Sequence, residues 1–228
     1  MLSALAMKRT VIPELLDTDS GSAKEVRASL ADLRFVNRWF GGASTMCDLI
    51  EHVARKNALP RVELLDVASA TGDIPALALN RLRQQGIELR VTLLDRAASH
   101  FNGRFPAVLG DALVLPFADD SFDMVTCSLF AHHLEPDQLE RFARESLRVA
   151  RIAVLINDLR RHLLHLALVY AGLPLFSRLT RHDAPVSIRR SYTPAELKAV
   201  LEKTDATHVE INSHYLFRMG AIVWKKPQ

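Results

Sequence analysis

The sequence predicts an α/β fold built around a doubly wound, mostly parallel sheet of seven strands. Between residues 62 and 156, short apolar runs alternate with helical patterns, and strands that alternate with helices usually pair in parallel. Beyond them, a helix is followed by two strands, residues 208–212 and 216–224, joined by a short link. We therefore expect the last strand to run antiparallel.

Composition and length favour one decorated α/β domain. The chain has 228 residues, 49% of them hydrophobic, and a net charge of only +3, which excludes intrinsic disorder. Two cysteines, Cys47 and Cys127, are too few for a disulfide framework or a zinc site, so we expect a reducing cytoplasm. No secretory signal is recognisable at the start, and the longest stretch without charged residues has sixteen residues, 162–177. Spanning a bilayer needs roughly 20, so we expect a soluble protein.

The N-terminal region is predicted to be a helical lid. Apolar residues between positions 23 and 54 recur at helical spacing, and Gly41-Gly42 divides them into two helices. We assign residues 1–58 to this extension and residues 59–228 to a catalytic domain.

Each element of the sheet region has its own signal. Apolar runs bounded by turn residues predict the strands, and spacings of three and four predict the helices. In order, these are strand 62–67, helix 74–85, strand 89–94, strand 107–109, strand 122–127, helix 136–149 and strand 152–156. Thr193, Pro194 and Glu196 then form a helix start with a hydroxyl cap and proline at the first position.

The turn after the first strand argues against a dinucleotide. Ligands of such sheets bind beyond the carboxyl ends of the strands, and a dinucleotide fingerprint needs three glycines there. The matching positions hold Ala68, Ala70 and Asp73. Asp73 would also repel a pyrophosphate at the helix start. A cofactor without phosphates, preferably cationic, suits this turn.

The next two strands end in aspartates that suit an adenosine group. Asp95 is placed to accept hydrogen bonds from ribose hydroxyls. Asp111, behind Gly110, is placed to accept one from an adenine amino group, and Ala112 offers a backbone N–H. Each aspartate alone could equally cap a helix, but their order favours the adenosine interpretation.

Two segments carry a family resemblance. D-V-A-S-A-T-G-D at residues 66–73 resembles motif I of class I S-adenosylmethionine-dependent methyltransferases. G-D-A-L-V-L-P-F-A-D-D-S-F-D at residues 110–123 is similar to their following segment, in particular to the ubiquinone/menaquinone C-methyltransferase type. The resemblance covers residues 64–156 and implies a Rossmann-like sheet that binds S-adenosylmethionine. The expected cofactor contacts are Asp66, Ala68, Ser69, Ala70, Thr71, Gly72, Asp95, Arg96, Gly110, Asp111, Ala112 and Ser128.

Ala70 departs from that pattern, which has glycine at this position. Its Cβ would crowd the cofactor or require an unfavourable backbone angle. Two outcomes are open: a weaker cofactor site, or a protein that binds the cofactor but no longer transfers methyl.

Two histidines are the candidate catalytic bases. His132 and His133 follow the fourth strand at the rim, and an imidazole is a suitable base near neutral pH. We expect one of them to face inward and favour His133; the alternative is that both cap or pack the next helix. No metal site is expected, because no carboxylate or thiol recurs at ligand spacing near these histidines or near His162 and His165.

The acceptor is expected between the lid and the region after the fifth strand. Residues 163–176 are apolar nearly all round, which predicts a buried helix forming one pocket wall; docking on a membrane surface is the alternative. The candidate acceptor-binding residues are Arg38, Trp39, Asp158, Arg161, His162, His165 and Tyr170.

These features predict a methyltransferase of secondary metabolism that acts on a small apolar hydroxyaromatic acceptor: a phenolic polyketide, phenolic lipid or quinone precursor. O-methylation is slightly favoured over C-methylation, because a histidine base suits a phenol. The alternatives are a non-catalytic S-adenosylmethionine-binding regulator and a nucleic-acid methyltransferase. Ten arginines against three acids between residues 141 and 190 suggest the latter, but solvated helix faces explain them better, and we expect no nucleic-acid partner. Homo-oligomerisation and transient membrane contact are left open.

Overall fold

A computed structural model describes residues 7–18 and 20–225, and a seven-stranded sheet forms its centre. The strand order is β3-β2-β1-β4-β5-β7-β6. The strands are β1 (Arg61–Val67), β2 (Glu88–Asp95), β3 (Ala107–Leu109), β4 (Phe122–Ser128), β5 (Ala150–Leu159), β6 (Ala206–His214) and β7 (Arg218–Lys225). β1 to β5 pair in parallel, and β7 is antiparallel to both β5 and β6. The predicted fold class is confirmed.

Helices cover both faces of this sheet. They are α1 (Ala23–Trp39), α2 (Gly42–Lys56), α3 (Asp73–Arg83), α4 (Pro136–Val149), α5 (Leu163–Gly172), α6 (Arg178–Arg190) and α7 (Pro194–Leu201). Successive strand residues face opposite sides, so Leu64 packs in one apolar cluster with α2 and α3, whereas Leu65 packs in the other with α4 and α7. α2 is therefore part of the core, with Met46 and Val53 fully buried.

Two elements differ from the expectations. α6 was not predicted, because Pro185 lies in its interior and interrupts a helical pattern. The predicted burial of residues 163–176 is wrong: of α5 only Leu166 is buried, while Leu164 is 55% and Leu175 85% exposed. Since α5 packs mainly on α6, its other apolar faces remain at the surface. No helix among residues 7–18 and 20–225 is long and apolar enough to cross a bilayer.

Residues 7–17, which we call the strap, run across the carboxyl edge of the sheet. The Arg161 Nε donates to the Met7 carbonyl after β5, and the Arg96 Nη2 donates to the Asp17 carbonyl after β2. Between these points, the Asp183 carboxylate accepts from the N–H groups of Leu15 and Leu16. The strap thus lies over the strand ends where ligands bind in such sheets.

Candidate active site at the carboxyl edge

Strand pairing brings the predicted cofactor residues together. Val67 is level with Leu94 and Cys127 in the neighbouring strands, and Asp95 is level with Leu109. The turns that follow β1, β2, β3 and β4 therefore emerge side by side at one edge. This arrangement follows from the parallel register and agrees with the sequence analysis.

The turn after β1 holds two alanines in the left-handed backbone region. φ is +53° at Ala68 and +46° at Ala70, and Gly72 follows at +69°. The expected unfavourable angle at Ala70 is confirmed, and such a conformation costs an L-residue roughly 1–2 kcal/mol. Glycine suits position 72, because L-residues rarely adopt this backbone angle and a Cβ there would also lie 2.9 Å from the Leu93 Cδ1.

Asp95 supports this turn through both carboxylate oxygens. Oδ2 accepts from the Ala70 N–H at 2.9 Å, and Oδ1 accepts from the Ala97 N–H at 3.0 Å. Burial alone would raise the pKa of Asp95, but hydrogen bonds from His100, Ala97 and Ala70 hold it below its usual value. A carboxylate oxygen has two lone pairs, so Oδ2 can still accept a further hydrogen bond from a ligand hydroxyl, whereas Oδ1 also faces the His100 Nδ1 at 3.5 Å.

A second carboxylate, Asp66, is buried at the end of β1. Burial raises its pKa to about 7, a hydrogen bond from the Thr126 hydroxyl opposes this shift, and the negative charge of Asp95 adds to it. The Thr126 Oγ1 donates to Oδ1 at 2.7 Å. The charge of Asp95 disfavours the ionised form of Asp66, and a cationic ligand at the turn would relieve that repulsion. In the same turn, the Ser69 Oγ is buried without a hydrogen-bond partner in the described structure.

The other predicted cofactor residues line the rim less specifically. Asp111 is exposed, and its Oδ1 accepts from the Leu113 N–H at 2.8 Å, while Ala112 is buried beneath it. Gly110 has little room for a side chain, since a Cβ would lie 3.1 Å from the Leu94 Cδ1. The remaining three contact other protein groups: the Thr71 Oγ1 donates to Asp73, Arg96 donates to the strap, and the Ser128 Oγ accepts from Asn157.

His132 is the deeper of the two predicted bases and is held as a cation. It lies in the single turn Ala131–His133 after β4 and is 2% exposed. The Asp158 carboxylate lies 2.7 Å from its Nδ1 and accepts its backbone N–H at 2.9 Å. Burial alone would lower the pKa of His132, but Asp158 and Glu14 raise it to about 9. At neutral pH this imidazole has no free lone pair at Nδ1 and little tendency to accept a proton.

His133 is more accessible, which reverses the expected orientation. Its side chain is 21% exposed, its ring stacks on Phe130, and its Nδ1 lies 2.8 Å from the Asp17 Oδ1. His132 faces inward instead, because the carboxylate at the end of β5 lies beneath it.

The strap supplies two acids that the sequence analysis missed. Glu14 is 7% exposed and lies beside both histidines. Burial opposes the ionisation of Glu14 and Asp17, yet the histidines hold both pKa values below their usual range, that of Asp17 at about 2 with help from Arg190. These acids are more than a hundred residues from the histidines, so no local spacing could have indicated them.

The predicted acceptor residues do not form one cluster. Arg161 is buried, and its guanidinium donates to the Met7 and Ser191 carbonyls and to Glu196, so it holds the strap. His162 and His165 stack on the Phe217 ring at centroid distances of 5.2 and 5.0 Å. Burial lowers the pKa of His165 to about 4.

The other three predicted acceptor residues lie at the surface. The Tyr170 hydroxyl accepts from Arg189, and Trp39 ends α1 with the Arg38 guanidinium 5.5 Å from its ring centroid. Arg38 also lines a groove of about 350 Å³ between α2 and α3.

Comparison with known proteins agrees with this architecture. Residues 64–152 match the family described as a methyltransferase domain. The ubiquinone/menaquinone biosynthesis C-methyltransferase UbiE of Methylobacterium nodulans is 38% identical over 97 residues, which are 38% of this chain and 36% of that protein. The enzyme of the same name from Paracoccus denitrificans is 41% identical over 99 residues, 37% of this chain and 38% of that protein. The matched region thus spans little more than a third of these relatives.

Solved structures share the fold across most of the chain. An O-methyltransferase family 2 protein from Planctomyces limnophilus, in complex with apigenin, has a TM-score of 0.63 at 17% identity and covers 92% of this chain and 63% of that one. A SAM-dependent methyltransferase from Aquifex aeolicus has a TM-score of 0.56 at 16% identity and covers 77% and 89%. At these identities the likeness shows the fold. The resemblance noted in the sequence is confirmed.

Proposed function

We propose, from the premise that this chain carries a class I S-adenosylmethionine-dependent methyltransferase domain, that it methylates a small hydroxyaromatic acceptor. The observation that carries the proposal is the pair of carboxylates, Asp66 and Asp95, at the turn after β1. The charge of Asp95 opposes the ionisation of Asp66, and the Ser69 hydroxyl is buried without a hydrogen-bond partner among the described residues; both features suit a ligand with cationic groups and hydroxyls.

The residues present fit this cofactor. The Asp95 Oδ2 has a free lone pair for a ribose hydroxyl, the Asp66 carboxylate would balance the sulfonium and ammonium charges, and Asp111 with Ala112 would face the adenine edge. S-adenosylmethionine would supply an electrophilic methyl group there. The chain's task is then to hold an acceptor in line with that methyl, and such positioning supplies much of the acceleration.

We further propose that the methyl group goes to a ring carbon of a quinone precursor or related phenol. The support is the name of the relatives, which are C-methyltransferases; they do not support the preference for O-methylation. Removing the phenol proton raises electron density at ring carbons. A ring carbon would then take the methyl group, leaving S-adenosylhomocysteine, and the proton on that carbon would move to the phenolate oxygen, which restores the aromatic phenol.

His133 is the proposed proton acceptor, with His132 as a neighbouring cation. Asp17 holds the His133 Nδ1 and leaves Nε2 to accept a proton. His132, kept charged by Asp158, would stabilise the phenolate. The strap lies against His133, so an acceptor would enter when the strap moves away, which is the lid role we propose for part of residues 1–58.

The non-catalytic alternative has specific support, and the nucleic-acid alternative does not. A non-catalytic cofactor-binding protein is favoured by the strained Ala70. The nucleic-acid alternative loses its motivation, because six of the ten arginines are ion-paired: Arg144, Arg148, Arg151, Arg161, Arg178 and Arg190.

The test is turnover with a panel of hydroxyaromatic acceptors and S-adenosylmethionine carrying a labelled methyl group. We expect S-adenosylhomocysteine with at least one acceptor and a methyl group on a ring carbon. His133→Gln should lower kcat strongly, whereas Asp205→Asn, on the exposed side of Arg144, should not. Cofactor binding without turnover on any acceptor would favour the non-catalytic alternative. Cytoplasmic location and a role in secondary metabolism are still predictions of the sequence alone.

A further inference from the structure

Three side chains with metal-ligating atoms converge where the strap meets the turn after β4. Glu14, His132 and His133 each offer one ligand atom, and these atoms lie within 4.8 Å of one another. The His132 Nε2 lies 3.5 Å from the Glu14 Oε1, and the His133 Nε2 lies 3.9 Å from the Glu14 Oε2. The two imidazole rings are 4.2 Å apart at their centroids.

These separations are too long for good hydrogen bonds and suit a bridging ion. Hydrogen bonds between such groups are about 2.7–3.2 Å long, and the His132 Nε2 is buried without a hydrogen-bond partner among the described residues. Ligand atoms around a tetrahedral ion with bonds of about 2.05 Å lie roughly 3.3 Å apart. The two contacts to Glu14 are 3.5 and 3.9 Å, and all three ligand atoms lie within 4.8 Å of one another. A bound ion would therefore draw the side chains inward by up to about 1.5 Å.

The outer contacts also resemble those of metal-binding histidines. Such histidines usually donate their second ring nitrogen to a carboxylate, which fixes the tautomer and directs the other nitrogen to the ion. Here Asp158 holds the Nδ1 of His132, and Asp17 holds the Nδ1 of His133. The Ser187 hydroxyl in turn donates to the Glu14 Oε1 at 2.8 Å.

Carboxylates and arginines both face the cluster. Glu14, Asp17 and Asp158 supply three carboxylates. The Arg190 guanidinium lies 3.9 Å from the Glu14 Oε1, and Arg218 interacts with Asp158. A divalent ion would take the Nε2 lone pairs of the two histidines while Asp158 and Asp17 hold their Nδ1 atoms.

We propose that Glu14, His132 and His133 form a binding site for a divalent transition-metal ion of the zinc type. Because Glu14 belongs to the strap and the histidines to the turn after β4, the ion fastens the strap over the carboxyl edge. It also occupies the His133 nitrogen that would accept a proton. The protein with a bound ion therefore cannot admit an acceptor or use His133 as a base, and the ion holds the strap closed.

The test is a titration of the full-length, tag-free chain, stripped with a chelator, with Co²⁺ and then Zn²⁺ in the absence of cofactor. We expect one tetrahedral Co²⁺ per chain by visible absorption, displaced by Zn²⁺. Glu14→Gln and Asp17→Asn should each weaken binding at least about tenfold. Matched controls are Glu51→Gln, a buried glutamate on α2, and His165→Gln, a half-buried histidine on α5, which should bind as the wild type does.

A second readout reports on the strap itself. Trypsin cleavage after Arg9 should slow when Zn²⁺ is added to the wild type, and Zn²⁺ should have no such effect on Glu14→Gln. Absence of a tetrahedral Co²⁺ spectrum, or equal binding by Glu14→Gln, Asp17→Asn and the wild type, would overturn the proposal. Loss of binding in the two controls as well would also overturn it. None of these results depends on methyl transfer, so the proposed function can fail or hold independently.

Discussion

Replacing Ala70 by glycine should both stabilise the protein and strengthen cofactor binding. The backbone at Ala70 has φ +46°, which costs an alanine roughly 1–2 kcal/mol, while glycine loses roughly 0.5–1 kcal/mol through its greater freedom when unfolded. The difference predicts a gain of about 0.5–1 kcal/mol in the free energy of unfolding. Removing one crowding methyl group from the turn should add about 1 kcal/mol to cofactor binding, a factor of about five in Kd.

Ala58 offers a matched control, because its φ of +48° is nearly the same and it follows α2 at an exposed turn. Ala58→Gly should raise stability by a similar amount and leave the Kd for S-adenosylmethionine unchanged. Denaturant unfolding and calorimetric titration of both variants measure the two effects. If Ala70→Gly loses stability while Ala58→Gly gains it, or if both variants change the Kd equally, the reasoning about this turn is refuted.

Three further changes test the electrostatics and packing of the same edge. The pKa of Asp66 is raised from 3.8 to about 7, so its ionisation destabilises the folded protein as pH rises through that range. At pH 8 the Asp66→Asn variant should be up to about 4 kcal/mol more stable than the wild type, and its free energy of unfolding should depend less on pH. It should also bind the cofactor more weakly. The pKa of His132 is raised from 6.5 to about 9, so its charged form stabilises the fold fully below pH 6.5, and this contribution is lost as pH rises through 9. Between pH 6 and 10 the free energy of unfolding of the wild type should fall by about 3 kcal/mol more than that of His132→Gln. Equal pH profiles would contradict the ion pair. Gly72→Ala places a Cβ 2.9 Å from Leu93 at φ +69°, and should lower the thermal midpoint by several degrees; an unchanged midpoint would mean that the turn rearranges freely.

Features carried by local sequence were predictable. Short patterns of apolar and turn residues predict the strands, the turn at residues 68–72 and the aspartates at the end of β2 and just after β3. Their assembly follows as well, because parallel strands place their carboxyl ends at one edge. Even the unfavourable angle at Ala70 follows from comparing one position with a glycine-containing motif.

Features that depend on distant contacts were not predictable. Glu14 and Asp17 reach His132 and His133 only through the path of the strap, which no spacing in the sequence encodes. The depth of His132 depends on Asp158 in another strand. α5 illustrates a different limit: its composition indicates burial, but its surroundings cover only Leu166.

The most direct test of the central claim is calorimetric titration with S-adenosylmethionine and S-adenosylhomocysteine, with NADH and NADPH as controls. We predict micromolar binding of the first two and none of the nicotinamide cofactors. Asp95→Ala should abolish that binding, and Asp205→Ala should leave it intact. Failure of the wild type to bind either adenosyl compound, or undiminished binding by Asp95→Ala, would contradict the assignment of this edge as the cofactor site.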